Sequence, residues 1–122
     1  MKVGIVTRLR NDFKKRKISE KLKKNNIEMK KVNAREANII KNCDLLLVLN
    51  DQELKEEMVV AVSYAIGVGV SIFFTYEPVS TGLRVLLNAT HKSSEVEIIS
   101  DEVKGIFQKI KNFEEEELWL LT

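Results

Sequence analysis

The run Leu45-Leu46-Leu47-Val48-Leu49 constrains the fold of this 122-residue chain more than any other feature. As a strand it sends large apolar side chains alternately to both faces, so both faces must be covered. That places it at the centre of a parallel sheet between two helical layers. The remaining sequence has the rhythm such a sheet needs, short apolar runs alternating with longer amphipathic segments. Val3-Gly4-Ile5-Val6-Thr7 reads as a first strand. Asn11 or Asp12 caps the helix that follows, which carries Phe13, Ile18 and Leu22 in a lysine-rich sequence. Asn25-Asn26 ends it, because Asn tolerates the left-handed conformation at a helix C-terminus. Residues 27–32 read as a second strand nearer an edge, and 34–41 as a short helix leading to the central run.

Asn50 followed by Glu53 opens the next helix in the manner of a capping box. Its first turns are charged, whereas 58–68 are apolar nearly all round, so its second half is expected to be buried. Gly67 and Gly69 close it. Residues 70–76 read as a fourth strand, Pro78 breaks the chain, and Ser80 or Thr81 caps a helix reaching Leu87. A fifth strand over 96–99 and a last helix capped by Ser100 complete the pattern, with Val103, Ile106, Phe107, Ile110 and Phe113 as the inward stripe. The expected fold is α/β, a small flavodoxin-like, doubly wound, parallel five-stranded sheet with helices on both faces and strand order 2-1-3-4-5. Ligands of such sheets bind beyond the carboxyl ends of the strands at the switch point, here between strands one and three. That map selects Thr7, Arg8, Arg10, Asn50 and Asp51, with Tyr76 and Glu77 from the fourth strand.

Apolar residues at 44% and charged residues at 31% exclude wholesale disorder, a collagen and a disulfide scaffold. The length fits one α/β domain, read over 1–113, with an acidic and then apolar tail over 114–122. The formal charge of +2 conceals a gradient, because residues 1–42 carry fourteen Lys or Arg against four acids while the other eighty residues carry six against fourteen. In a 2-1-3-4-5 sheet the basic half lies toward one edge, so the polarity is expected to survive folding. The lone Cys43 opens an apolar run and reads as a small buried hydrophobe. MKVGIVTRLR has no signal-peptide h-region, and no stretch reaches the roughly 20 apolar residues a membrane span needs, so a soluble, cytoplasmic protein without a membrane partner is expected.

Most catalytic signatures are absent. There is no phosphate-binding GxxxxGK[ST] loop and no GxGxxG after the first strand. His91 is the only histidine, which leaves no multi-histidine metal site, and neither metal nor cofactor is expected. The carboxylates of a phospho-acceptor site do not line up either, since strand one runs into Arg8-Leu9-Arg10.

Two segments carry a resemblance. Asn42-Cys43-Asp44-Leu45-Leu46-Leu47-Val48-Leu49, followed by Ala61-Val62-Ser63-Tyr64-Ala65-Ile66-Gly67-Val68-Gly69-Val70-Ser71-Ile72, is similar to the core of the nucleoside 2-deoxyribosyltransferase-like family. In that family a strand opening on a small residue and Asp precedes a helix reading roughly Glu-x-Gly-Tyr-Ala. The resemblance implies a nucleoside site in which the Glu of that helix attacks the sugar C1′ and forms a covalent glycosyl intermediate. Aligned on Tyr64-Ala65, this chain has Ala61 at the nucleophile and Ser63 at the Gly, and Thr7-Arg8-Leu9 replaces the family's small-Gly-Pro turn. Glu57 lies one helical turn before Ala61 and is the candidate replacement carboxylate; the bland reading is that Glu53, Glu56 and Glu57 complement the helix dipole.

The expectation is therefore a divergent, catalytically impaired domain that binds a nucleoside- or nucleotide-like ligand. Arg8 and Arg10 would meet a phosphate, Tyr64 or Tyr76 would stack on a base or sugar, and Asn50 or Asp51 would accept ribose hydroxyls. The alternative is an interaction module whose basic N-terminal half meets nucleic acid or another acidic partner. In either case Glu114-Glu115-Glu116-Glu117-Leu118-Trp119 places a costly apolar patch near the terminus, which docks on its own core or forms a homodimer.

Overall fold

The computed structural model describes residues 1–7, 12–50, 56–76, 96–99 and 102–121, the side chains of residues 12, 34–37, 57, 120 and 121 excepted. Five parallel strands, β1 (Lys2–Thr7), β2 (Glu28–Lys31), β3 (Leu45–Leu49), β4 (Ser71–Phe74) and β5 (Val96–Ile98), form one sheet in the order β2-β1-β3-β4-β5. Among the described residues the helices are α1 (Asp12–Lys24), α2 (Glu56–Val68) and α3 (Val103–Leu121), and a 3₁₀ segment spans Ala34–Asn42. The expected doubly wound α/β sheet is therefore observed. Arg8, Arg10, Asp51, Glu77, His91, the helix read up to Leu87 and the Ser100 cap lie outside the described residues.

Alternation along the strands divides the core in two. Val3 and Ile5 of β1, Leu45, Leu47 and Leu49 of β3 and Phe73 of β4 face α1 and α3, where Ile18, Leu22, Ile106, Ile110 and Phe113 meet them. Val6, Leu46, Val48, Ile72 and Phe74 face the other way, onto Met58, Ala61, Val62 and Ala65 of α2 and Ile40 of the 3₁₀ segment. All of β3 is buried, as its unbroken apolar run demands. Gly4 lies where the 3₁₀ segment crosses β1: a Cβ there would stand 3.1 Å from Val32 Cγ2 and 3.2 Å from Cys43 Sγ.

Two helices end as their sequences direct. Asn26 has a φ of 59°, and the Ile27 N–H donates to the Leu22 carbonyl at 2.9 Å while the Asn26 N–H donates to Lys23 at 3.2 Å. This is a Schellman motif, with Leu22 and Ile27 both in the core beside it. Gly69, at φ 81°, repeats the geometry for α2, with the Val70 N–H on the Ala65 carbonyl at 2.9 Å. Gly67 belongs to the helix itself, so Gly69 alone makes the turn.

Helix α3 runs through Glu114–Glu117 without a break. Glu and Leu are strong helix formers, no Gly or Pro interrupts 114–121, and Lys111 pairs with Glu114 at 3.1 Å. Leu118 and Trp119 are 59% and 80% exposed. Among the described residues no helix is long and apolar enough to cross a membrane.

Candidate functional site

The chain leaves β1 through α1 toward β2 and leaves β3 through α2 toward β4, so the two crossovers diverge above the adjacent strands β1 and β3. Divergent connections open a crevice at the carboxyl edge, the usual ligand position in such sheets. Register sets what lines it. Thr7 pairs with Leu49, and Val48 with Phe74, so Thr7, Asn50 and the Thr75-Tyr76 pair reach the edge at nearly the same level.

Asn50 and Thr75 are buried polar residues at this edge, 1% and 5% exposed, and they bond mainly to each other. The Thr75 hydroxyl accepts from the Asn50 N–H at 3.1 Å and lies 2.9 Å from the Asn50 carbonyl, to which it donates. Asn50 Oδ1 accepts from the Thr75 N–H at 3.1 Å and the Tyr76 N–H at 3.2 Å, and Nδ2 donates to the Tyr76 carbonyl at 2.9 Å. The two strand ends are thus clasped where the regular ladder stops, with buried polar groups satisfied by one another. Asn50 Oδ1, the expected ribose acceptor, thus carries two main-chain N–H groups. The Asn50 side chain fixes the main chain of Tyr76, whose residue is 38% exposed and presents the described aromatic ring of this edge.

Tyr64 does not join them. It lies eight residues into α2, about 12 Å along the axis from Glu56, and packs half-buried against the core. Ala61 is fully buried among Val48, Met58, Val62 and Ala65. Glu57 is in the first turn of α2, at the carboxyl edge, and its side chain lies outside the described residues. Asp44, the acid of the family-like strand opening, is at the opposite edge. Its Oδ2 accepts from the Lys2 N–H at 2.8 Å, and its own N–H donates to the Lys2 carbonyl at 2.8 Å, so it fastens β1 to β3.

Cys43, beside it, is buried and reduced, its thiol pointing at the Ile39 carbonyl at 3.6 Å, and burial pushes its pKa up. A thiol held protonated away from the crevice is no nucleophile. Among the described residues, no group of three or more His, Cys, Asp or Glu side chains is placed to hold a metal ion. Thr75 is the residue that reading the sequence did not single out; the available signal was a lone hydroxyl directly after the apolar Ile72-Phe73-Phe74, level with Asn50. The described part of the edge thus presents the partly exposed Tyr76 beside a clasp of uncharged polar groups.

By sequence, no family model and no curated protein matches the chain. By structure it is similar to BcmB, a CMP N-glycosidase of Clostridium botulinum, with a TM-score of 0.62 and 15% identity, over 91% of this chain and 99% of that one. At that identity the likeness shows a shared fold, related to the one the nucleoside deoxyribosyltransferase-like resemblance implied.

Proposed function

We propose that this chain is a divergent nucleoside deoxyribosyltransferase-like domain that binds a nucleoside- or nucleotide-like ligand at the carboxyl edge of β1 and β3, and that it is impaired as a catalyst. The observation that carries the reading is the end-to-end fold likeness to a protein whose name describes it as acting on CMP. In this reading Tyr76 stacks on the base or sugar, positioned by Asn50 and Thr75. Thr7 and Asp51 meet ribose hydroxyls, and Arg8, Arg10 and Glu77 complete the rim. The impairment rests on Ala61, which has no nucleophilic group and sits in apolar packing where a carboxylate would be costly.

Thermal unfolding against a panel of nucleosides and nucleoside monophosphates tests the binding half. A ligand at 100 times its Kd adds about 2.7 kcal/mol, a rise of several degrees in Tm, and Tyr76→Ala should lower it. No shift anywhere in a millimolar panel refutes it. Base release from nucleotides tests the other half: the expected rate is the uncatalysed background, and a wild-type rate that collapses in Glu57→Ala would show a working carboxylate.

A further inference from the structure

We propose that the depression between α1 and β2, lined by Lys15, Arg16, Ser19 and Lys31, is a phosphate-binding site separate from the crevice at β1 and β3. The cavity measures about 310 Å³, and the described residues that line it are three cations and a serine. The cations arrive from two elements. Lys15 and Arg16 are in the first turns of α1, whereas Lys31 ends the edge strand β2.

Ser19 brings the two elements together. Its hydroxyl donates to the Lys15 carbonyl at 2.7 Å, and its oxygen lies 2.6 Å from Met29 Sδ on β2. With its proton so engaged, Ser19 is a wall of the cavity, and recognition falls to the cations. A guanidinium flanked by two ammonium groups suits a phosphate, which the Arg fork takes through two oxygens while the lysines supply point charge.

The described acids leave two of the three cations, Arg16 and Lys31, unpaired. Glu28 approaches Lys30 at 3.8 Å and Lys2 at 4.0 Å, and among the described residues neither Arg16 nor Lys31 is in an ion pair. Glu20, one turn beyond Arg16 on α1, is not paired with it. Like charges gathered at a concave surface repel one another, and an anion seated between them relieves that cost. Lys31 pairs in register with Ile5, two residues below Thr7, and β2 is two strand spacings, roughly 10 Å, from β3. The inference therefore does not rest on the ligand assigned to the crevice, and a nucleoside without phosphate leaves this site untouched.

The test is a titration of the whole chain with inorganic phosphate at low ionic strength, followed by amide NMR shifts and calorimetry. Shifts centred on Lys15, Arg16, Ser19 and Lys31 are expected, with affinity falling about tenfold or more in Arg16→Ala/Lys31→Ala. Lys23→Ala/Lys24→Ala removes the same charge from the far end of α1 and should change affinity less than about twofold. Circular dichroism on both double variants checks folding. A nucleoside monophosphate and a short single-stranded oligonucleotide form two further arms. Tighter binding of the monophosphate than of free phosphate identifies a phosphomonoester ligand, and oligonucleotide binding that needs both cations and weakens steeply with salt identifies a nucleic-acid backbone. Absence of shifts at these amides in millimolar phosphate, or an equal loss in the two double variants, overturns the proposal.

Discussion

Thr75→Val isolates the clasp at the ends of β3 and β4. Valine has nearly the shape of threonine, so the substitution opens no cavity and removes only the hydroxyl. That hydroxyl accepts from the Asn50 N–H at 3.1 Å and donates to the Asn50 carbonyl at 2.9 Å, inside a site only 5% exposed. Water does not readily replace the lost partner there, and a buried donor deprived of its acceptor costs about 1–3 kcal/mol. The Thr75 N–H retains the Val48 carbonyl at 3.2 Å, which keeps the expected loss near 2 kcal/mol rather than at the sum of every bond in the network. For a domain of this length that is a fall of roughly 6–10 °C in Tm. Urea unfolding should show a lower midpoint with an unchanged slope, the signature of lost stability without a change in compactness. Thr75→Ser keeps the hydroxyl and should recover more than half of the loss. A double-mutant cycle with Asn50→Ala should give a coupling of about 0.5–3 kcal/mol, since the two residues share one network. If Thr75→Val lies within about 0.5 kcal/mol of the wild type, the hydroxyl does not hold the strand ends together and the argument fails.

Glycine positions give further tests. Gly67 is exposed on α2 and a Cβ there meets nothing within 4 Å, so Gly67→Ala should stabilise by about 0.5–1 kcal/mol in a denaturant melt. Gly69→Ala should destabilise by about 1 kcal/mol, because its φ of 81° is strained for any L side chain. Gly4→Ala should cost about 1–3 kcal/mol by crowding Val32 and Cys43, read as a drop in urea midpoint. Burial raises the Cys43 pKa in the folded chain, so the unfolded chain loses its thiol proton first as pH rises. Stability should therefore decline above about pH 8.5, and Cys43→Ala should flatten that decline in pH-dependent melts.

The sequence by itself determined whatever depends on neighbours along the chain. Alternation in 45–49 and the spacing of short apolar runs set a two-sided parallel sheet, and Asn26 and Gly69 set where two helices stop, because a left-handed residue and its caps are local geometry. The strand order followed, since short right-handed crossovers leave few arrangements. The acidic run at 114–117 was harder to read, because an apolar stripe marks burial and not helicity, and α3 continues where the stripe ends. Only the tertiary structure decided the roles of single polar residues. Asn50 is a single polar residue after an apolar run in the sequence, and folding brings Thr75 and Tyr76, twenty-five and twenty-six residues away, onto its side chain. Arg16 and Lys31 look like scattered surface charge until α1 folds back on β2 and sets them around one cavity. Hydrogen bonding and charge act through space over a few ångströms, and the partners they choose are fixed by register and packing.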